Sequence, residues 1–482
     1  MGQERAKQQR EEFLDRMLTE VHKIPVADVV GSVVDLVPKG RHLLGLCPFH
    51  ADQNLGSFVV TPDMNIWTCF AEGIGGSPVK FVMEYYDLKY LPAAFRLAVD
   101  YGIITPEEYK KYSGKRWNEN TVKRIQQRLE EPTKVKAYKA NEYIIAAVYN
   151  AIAKVCPLSE AHKKHLKRER KLSDAELADY FTFPTRRMDL AGKVFKEIAE
   201  SLARKKYDKN LQELDGDQLI TLDKQMQRVS SQMKYVPGFF FNKNTNRVDF
   251  ASYKGIGILA RDDRGMAVGI QIRRDVVKPG EQRYVWFSSA FAQSQGYTEG
   301  GASSGSPGGF IKSKTETNAH HHVCITEGRF KAEKIAANGS DAIYVSGVST
   351  WKSIIPVVKR VCKQGERVYL MFDADMLGNT AVKAQLSAMK DELEKLHLSP
   401  WLVLWRKSNG KGFDDLVIGK GEGYKKLLTY MKYEDFVPVY DKTLKQVLAT
   451  FGVSSVRDLP QENREAFSTE MQEEMETNLD LK

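Results

Sequence analysis

Between residues 322 and 432 the chain alternates apolar runs with amphipathic stretches: "HVCITEG", "FKAEKIAANG", "DAIYVSG", "WKSIIPVVKRVCKQG", "RVYLMFDAD", "AVKAQLSAMKDELEKL" and "SPWLVLW". No other feature narrows the possible folds as far. Runs that are apolar at every position, rather than every second one, are strands buried on both faces. With one helical stretch between each pair and short connections, they require a parallel sheet of βαβ units with helices on both faces.

Two of these runs end in acids. Asp373 and Asp375 follow "VYLMF" and, being two residues apart, project to the same side about 7 Å apart along an extended chain. "VCITEG" ends likewise in Glu327, with Gly328 opening a helix. In open parallel sheets the crevice beyond the carboxyl ends of the strands is where ligands bind. Acids converging there repel one another unless a cation joins them, and their oxygens suit Mg²⁺ or Mn²⁺ with open positions for phosphate. "GKGFDDLV" after the next strand adds Asp414 and Asp415. The plainer alternative is that such acids cap helices. It suits Asp375 taken alone, but the set on successive units of one sheet favours a metal cradle.

The motifs "ITEGRFKAEK", "VSGVSTW", "FDAD" and "GKGFDDL" resemble the Toprim domain shared by bacterial primases, topoisomerases and some nucleases. Their form is most similar to primase-like Toprim proteins of plasmids, phages and integrative elements. The resemblance implies that Glu327, Asp373 and Asp375 are catalytic and hold Mg²⁺ or Mn²⁺, with Asp414 supporting a second ion or orienting a metal-bound water. Two positions depart from it. Lys331 stands where such primases often have Asp, and Gly412 where their later acidic motif commonly has one. Fewer carboxylates imply fewer or more weakly held ions.

Near the N-terminus, "GLCPFH" and "TCFAEG" place Cys47, His50, Cys69 and Glu72 in a C-x2-H-x18-C-x2-E spacing. Thiolates and imidazole on two tight turns are what tetrahedral zinc requires. The stretch "LCPFHADQNLGSFVVTPDMNIWTCFAEGIGGSPVKFVMEYYDL" resembles the Cys-His-Cys zinc-binding domain of bacterial primases, which has a second Cys where Glu72 stands. Two readings stay open: a weakened Zn²⁺ site, or a metal-free ribbon held by Leu46, Phe49, Phe58, Trp67 and Phe70. Cys156, Cys324 and Cys362 form no pattern and are read as ordinary core or surface residues. His320, His321 and His322 are read as structural or incidental.

Between these parts, "GIGILARDDRGMAVGIQIRRD" and "QRYVWFSS" resemble the primase polymerase segment that precedes Toprim. Carried over, Arg261, Arg273, Arg274 and Arg283 would line a groove facing the metal and neutralise template or nucleotide phosphates. A bare hairpin exposing charges to water is the alternative. "KLSDAELADYFTF" resembles a short helix at the entry to the polymerase core. "GYTEGGASSGSPGGF" reads as a mobile loop or hinge.

Lys and Arg outnumber Asp and Glu by 72 to 62, a net charge of +10 that favours polyanionic partners. The expected class is α/β and α+β multidomain. It comprises a zinc-ribbon-like DNA-binding domain (1–101), a basic helical connector and start of the polymerase core (102–235), a polymerase β segment with its Gly/Ser loop (236–317), a Toprim-type parallel βαβ sheet (318–432) and a tail (433–482). This order is that of DnaG-type bacterial primases. It implies template-directed synthesis of short RNA primers from ribonucleoside triphosphates on single-stranded DNA. The alternatives are a catalytically weakened single-stranded-DNA-binding replication accessory and a Toprim nuclease. No G-x-x-x-x-G-K-[ST] loop occurs, so unwinding would come from a separate replicative helicase. With no signal-like or membrane-spanning run, the expected location is the cytoplasm, without a membrane partner.

Overall fold

A computed structural model describes residues 2–50, 52, 55–69, 74–113, 117–130, 139–185, 188–278, 282–290, 292, 300–313 and 322–482. Its contacts divide into two compact units: Met1–Val135 with Leu377–Gln385 and Tyr440–Met475, and Lys136–Met376 with Leu386–Val439 and Glu476–Lys482.

In the first unit, strands β1 (Val37–Lys39), β2 (His42–Gly45), β3 (Phe58–Thr61), β4 (Ile66–Cys69) and β5 (Ile74–Gly76) form an antiparallel sheet in sequence order. Phe58 and Trp67 on β3 and β4 are fully buried, and their rings stack 5.5 Å apart with Phe81 edge-on to Trp67 at 5.5 Å. Phe81 lies on helix Pro78–Tyr86, which begins with Pro at its first position and a Ser77 side chain accepting from the Lys80 amide. Asn65 pins the β3–β4 turn to the junction between helices Gly2–Lys23 and Val26–Gly31. Its left-handed backbone (φ 51°) frees the amide side chain to donate to the His22 and Ile24 carbonyls and accept from the Val26 amide.

The second unit holds β6 (Tyr180–Thr182), β7 (Phe239–Asn242), β8 (Arg247–Phe250), β9 (Gly255–Arg261), β10 (Ala267–Arg274) and β11 (Tyr284–Trp286). Strands β6, β9, β10 and β11 make a four-stranded antiparallel sheet, and β7 pairs with β8. Helix Glu142–Val155 buries Ile145, Val148, Tyr149 and Ile152 in one core with Phe181, Ile270 and Phe287. The region read as a basic connector thus supplies a core helix and a strand. Within "KLSDAELADYFTF" the expected helix is a 3₁₀ turn, Glu176–Asp179, that runs into β6.

The same unit contains β12 (Gly309–Ile311), β13 (Val323–Glu327), β14 (Asp341–Val345), β15 (Arg367–Met371), β16 (Ser399–Leu404) and β17 (Thr429–Lys432), in spatial order β12-β14-β13-β15-β16-β17. The four central strands are parallel, as their unbroken apolar runs require, with Ile325, Ile343, Leu370 and Leu402 fully buried. Both edge strands run antiparallel, so the sheet is mixed. Strand β12 corrects the reading of the Gly/Ser-rich stretch as loop throughout, since Gly309 and Phe310 pair with Tyr344 and Ile343. Among the described residues no single helix is long and apolar enough to cross a membrane.

Candidate functional site

Neighbouring parallel strands β13 and β15 carry Glu327 at the end of one and Asp373 just past the end of the other. Gly328 follows with φ 85°, a conformation that suits glycine, and turns the chain into helix Arg329–Ala337. That helix delivers Lys331, whose Nζ lies 2.6 Å from Asp373 Oδ1, both side chains being less than one-fifth exposed. Asp375 sits on the 3₁₀ turn Ala374–Gly378, 2.8 Å from Lys411 Nζ. The Lys411 carbonyl in turn accepts from the Ala374 amide, joining the two loops. Burial pulls Lys331 toward neutrality, but Asp373 and Glu327 outweigh it and hold the ammonium protonated. Burial pushes the Glu327 carboxyl above its usual range, with Lys331 opposing and Asp373 and Asp375 adding to the rise.

Glu327, Asp373 and Asp375 thus share one electrostatic neighbourhood, but lysines stand on two of them. Asp414 lies near enough to Lys331 to help keep it charged, but it is buried and accepts from Arg170 Nη1 at 3.1 Å, with that guanidinium over the Phe330 ring. Asp415 caps helix Phe413–Lys420 by accepting from the Gly412 amide. The four arginines of the basic segment are not brought together. Arg261 pairs with Ala267 at the turn end of the β9–β10 hairpin, while Arg273 and Arg274 face Ile256 and Gly255 at the other end, about 17 Å away along the strand. Arg261 is also spent internally, donating to Asp179, Gly265 and Asn150. Arg274 and Arg283 are joined through their backbones, and Arg273 Nε is buried without a hydrogen-bond partner.

In the first unit Cys47, His50 and Cys69 are buried, with ligand atoms all within 4.8 Å of one another; among the described residues no other trio of such groups closes so tightly. His50 Nδ1 faces Cys69 Sγ at 3.6 Å. Burial, then the neighbouring Cys69, push the Cys47 thiol far above its usual value. Burial also pulls His50 down, but hydrogen bonds to Asp52 and Cys69 lift it to about 9. Two sulfurs and one nitrogen gathered in a buried site suit zinc. Glu72, Phe70, His320 and His321 lie outside the described residues.

Residues 9–113 match the family model described as "CHC2 zinc finger". That part of the chain is similar to CHC2 zinc-ribbon domains. Through it the chain resembles DnaG-type bacterial primases. Over 80 residues it is 39% identical to the DNA primase of Geobacillus stearothermophilus, covering 17% of this chain and 13% of that protein. The DNA primase of Aquifex aeolicus is 40% identical over 80 residues, covering 17% and 16%. That of Thermotoga maritima is 34% identical over 123 residues, covering 24% and 21%. These matches therefore span less than a quarter of the relatives' length. Residues 315–424 match a second model, described only as a domain of unknown function (DUF3854). A crystal structure of the Aquifex aeolicus primase, zinc-binding and RNA polymerase domains, aligns over 96% of this chain and 99% of that one, at 17% identity and a TM-score of 0.40.

The CHC2-like domain has two supporting residues that sequence reasoning missed. Asp52, two positions past His50, lies 3.7 Å from its Nε2 and accepts from the Cys47 amide and the Ser57 hydroxyl. A carboxylate behind the distal nitrogen fixes the ring with Nδ1 toward the sulfurs. Arg464, at the start of helix Arg464–Asn478, is buried and donates through Nη1 to the His50 carbonyl at 2.8 Å and to the Cys47 carbonyl. The two residues are 414 positions apart, and no local pattern announces the contact. Arg329, directly after Glu327-Gly328, was likewise missed.

Proposed function

We propose that this chain is a DNA primase that synthesises short RNA primers on single-stranded DNA by nucleotidyl transfer, with residues 318–432 as a Toprim-type catalytic domain. One observation carries the reading: Glu327 ends one parallel strand and Asp373 follows the end of its neighbour, with Asp375 on the next turn, in a chain whose residues 9–113 match the CHC2 model. The hard oxygen donors fit a divalent ion, and Glu327 has no ion-pair partner among the described residues, so it is the carboxylate left for one. When bound, Mg²⁺ or Mn²⁺ would lower the primer hydroxyl's pKa and neutralise charge on the reacting phosphate. Lys411, half exposed at the rim, would meet the triphosphate, and Arg273, Arg274 and Arg283 would track template phosphates. The rest of the division is proposed with it: zinc-ribbon domain 1–101, connector 102–235, β segment 236–317 and tail 433–482, acting beside a separate helicase.

The test incubates the protein with single-stranded DNA, labelled ribonucleotides and Mg²⁺ or Mn²⁺. Labelled RNA from the wild type, and none from Asp373→Asn at unchanged circular dichroism, is expected. DNA cleavage would favour a Toprim nuclease. DNA binding without either product would favour the accessory role, which the lysines engaging Asp373 and Asp375 support.

A further inference from the structure

The buried ion pair between Lys331 and Asp373 has a steric counterpart on another element. A Cβ placed on Gly412 would lie 2.7 Å from Lys331 Cε and 2.5 Å from Asp414 Oδ1. Gly412 has φ −95°, which any residue adopts, so its backbone does not call for glycine. A side chain at 412 would crowd the ends of the Asp414 and Lys331 side chains, so one or both would have to move aside for it. The two departures noted in the sequence, Lys331 and Gly412, are therefore neighbours at one acidic pocket, with the ammonium beside Asp373 and the glycine leaving its stem uncrowded.

We infer that the Lys331 ammonium is a built-in cation of the acidic pocket, replacing a divalent ion at Asp373, so that the pocket takes one divalent cation and not two. The inference rests on the metal-dependent reading proposed above. Charge supports it. Glu327, Asp373 and Asp375 against Lys331 leave two negative charges, which a single divalent cation balances. Without the lysine, one divalent cation would leave a negative charge and Asp373 free to help hold another. Geometry supports it as well. A second ion on Asp373 would sit beside the Lys331 ammonium, which lies 2.6 Å from Oδ1, and the two like charges would repel each other. Lys411 does not serve the same end, because it is 60% exposed on Asp375 and water screens that pair.

The experiment counts Mn²⁺ per chain by the loss of the free-ion electron paramagnetic resonance signal. It uses full-length zinc-loaded wild type, Lys331→Gln and Lys331→Asp, each checked for folding by circular dichroism. One Mn²⁺ on the wild type and two on Lys331→Asp is expected, with Lys331→Gln also gaining a weaker second ion. Two on the wild type would overturn the inference while leaving the metal-dependent reading intact. One on all three proteins would also overturn it, since Lys331 would then not be what excludes the second ion. No Mn²⁺ on any of them would overturn the reading on which it rests.

Discussion

Arg329 Nη2 lies 2.9 Å from Asp179 Oδ2, and the same carboxylate takes Arg261 Nε on its other oxygen. Arg329 also donates to Glu333 and to the Leu259 carbonyl, so one buried guanidinium ties the helix after β13 to strand β9 and the turn before β6. Removing one partner of a buried pair strands the other charge. Arg329→Met should destabilise the second unit by about 3–5 kcal/mol, read by urea unfolding. An unchanged midpoint would show that the network contributes nothing.

The hairpin turn is tied down by a second pair: Arg360 Nε and Nη2 donate to both oxygens of Asp263. Those hydrogen bonds hold the Asp263 carboxyl below its usual value. A depressed acid contributes stability above its unfolded pKa and loses it as pH falls through the folded one. The loss therefore begins at about pH 4 and deepens below it. Arg360→Ala should flatten that part of the stability–pH curve by about 0.2–1 kcal/mol, since the arginine is partly exposed. Identical acid limbs in the two proteins would refute the assignment.

Arg464 donates to the backbone carbonyls of Cys47 and His50, two of the three residues that could hold zinc. Arg464→Ala should leave the three ligands in place but loosen the turn that presents them. Zinc transfer to a chromophoric chelator should then show about 10–100-fold weaker affinity, as for other supporting residues around a metal. Equal affinity would mean the contact is incidental.

The two ends of the β9–β10 hairpin should behave differently toward nucleic acid. Arg273→Ala is expected to weaken single-stranded DNA binding and lower the slope of log K against log salt by about 0.7, one phosphate contact. Arg261→Ala should lower unfolding stability, because its partners Asp179 and Asn150 are left behind, with the salt slope unchanged. The reverse pattern would place the DNA path at the turn end.

The amino-acid sequence alone determined the strand core, because runs such as "VYLMF" and "VCITE" tolerate only a sheet buried on both faces. It also placed Glu327 and Asp373 at strand ends and singled out Cys47, His50 and Cys69 by spacing within a few residues, although Cys69 ends strand β4 and is not on the turn expected for it. The antiparallel edge β12 escaped it because Gly309 and Ile311 are strand only by virtue of the Tyr344 and Ala342 backbones beside them. Arg261 left the expected groove because strand register, not residue type, sets which end of a hairpin an arginine occupies. The occupant of the acidic pocket was likewise a tertiary decision. Lys331 and Gly412 are 81 positions apart in the numbering, and only the packing of two helix starts against one sheet edge brings them together and sets the ammonium on Asp373.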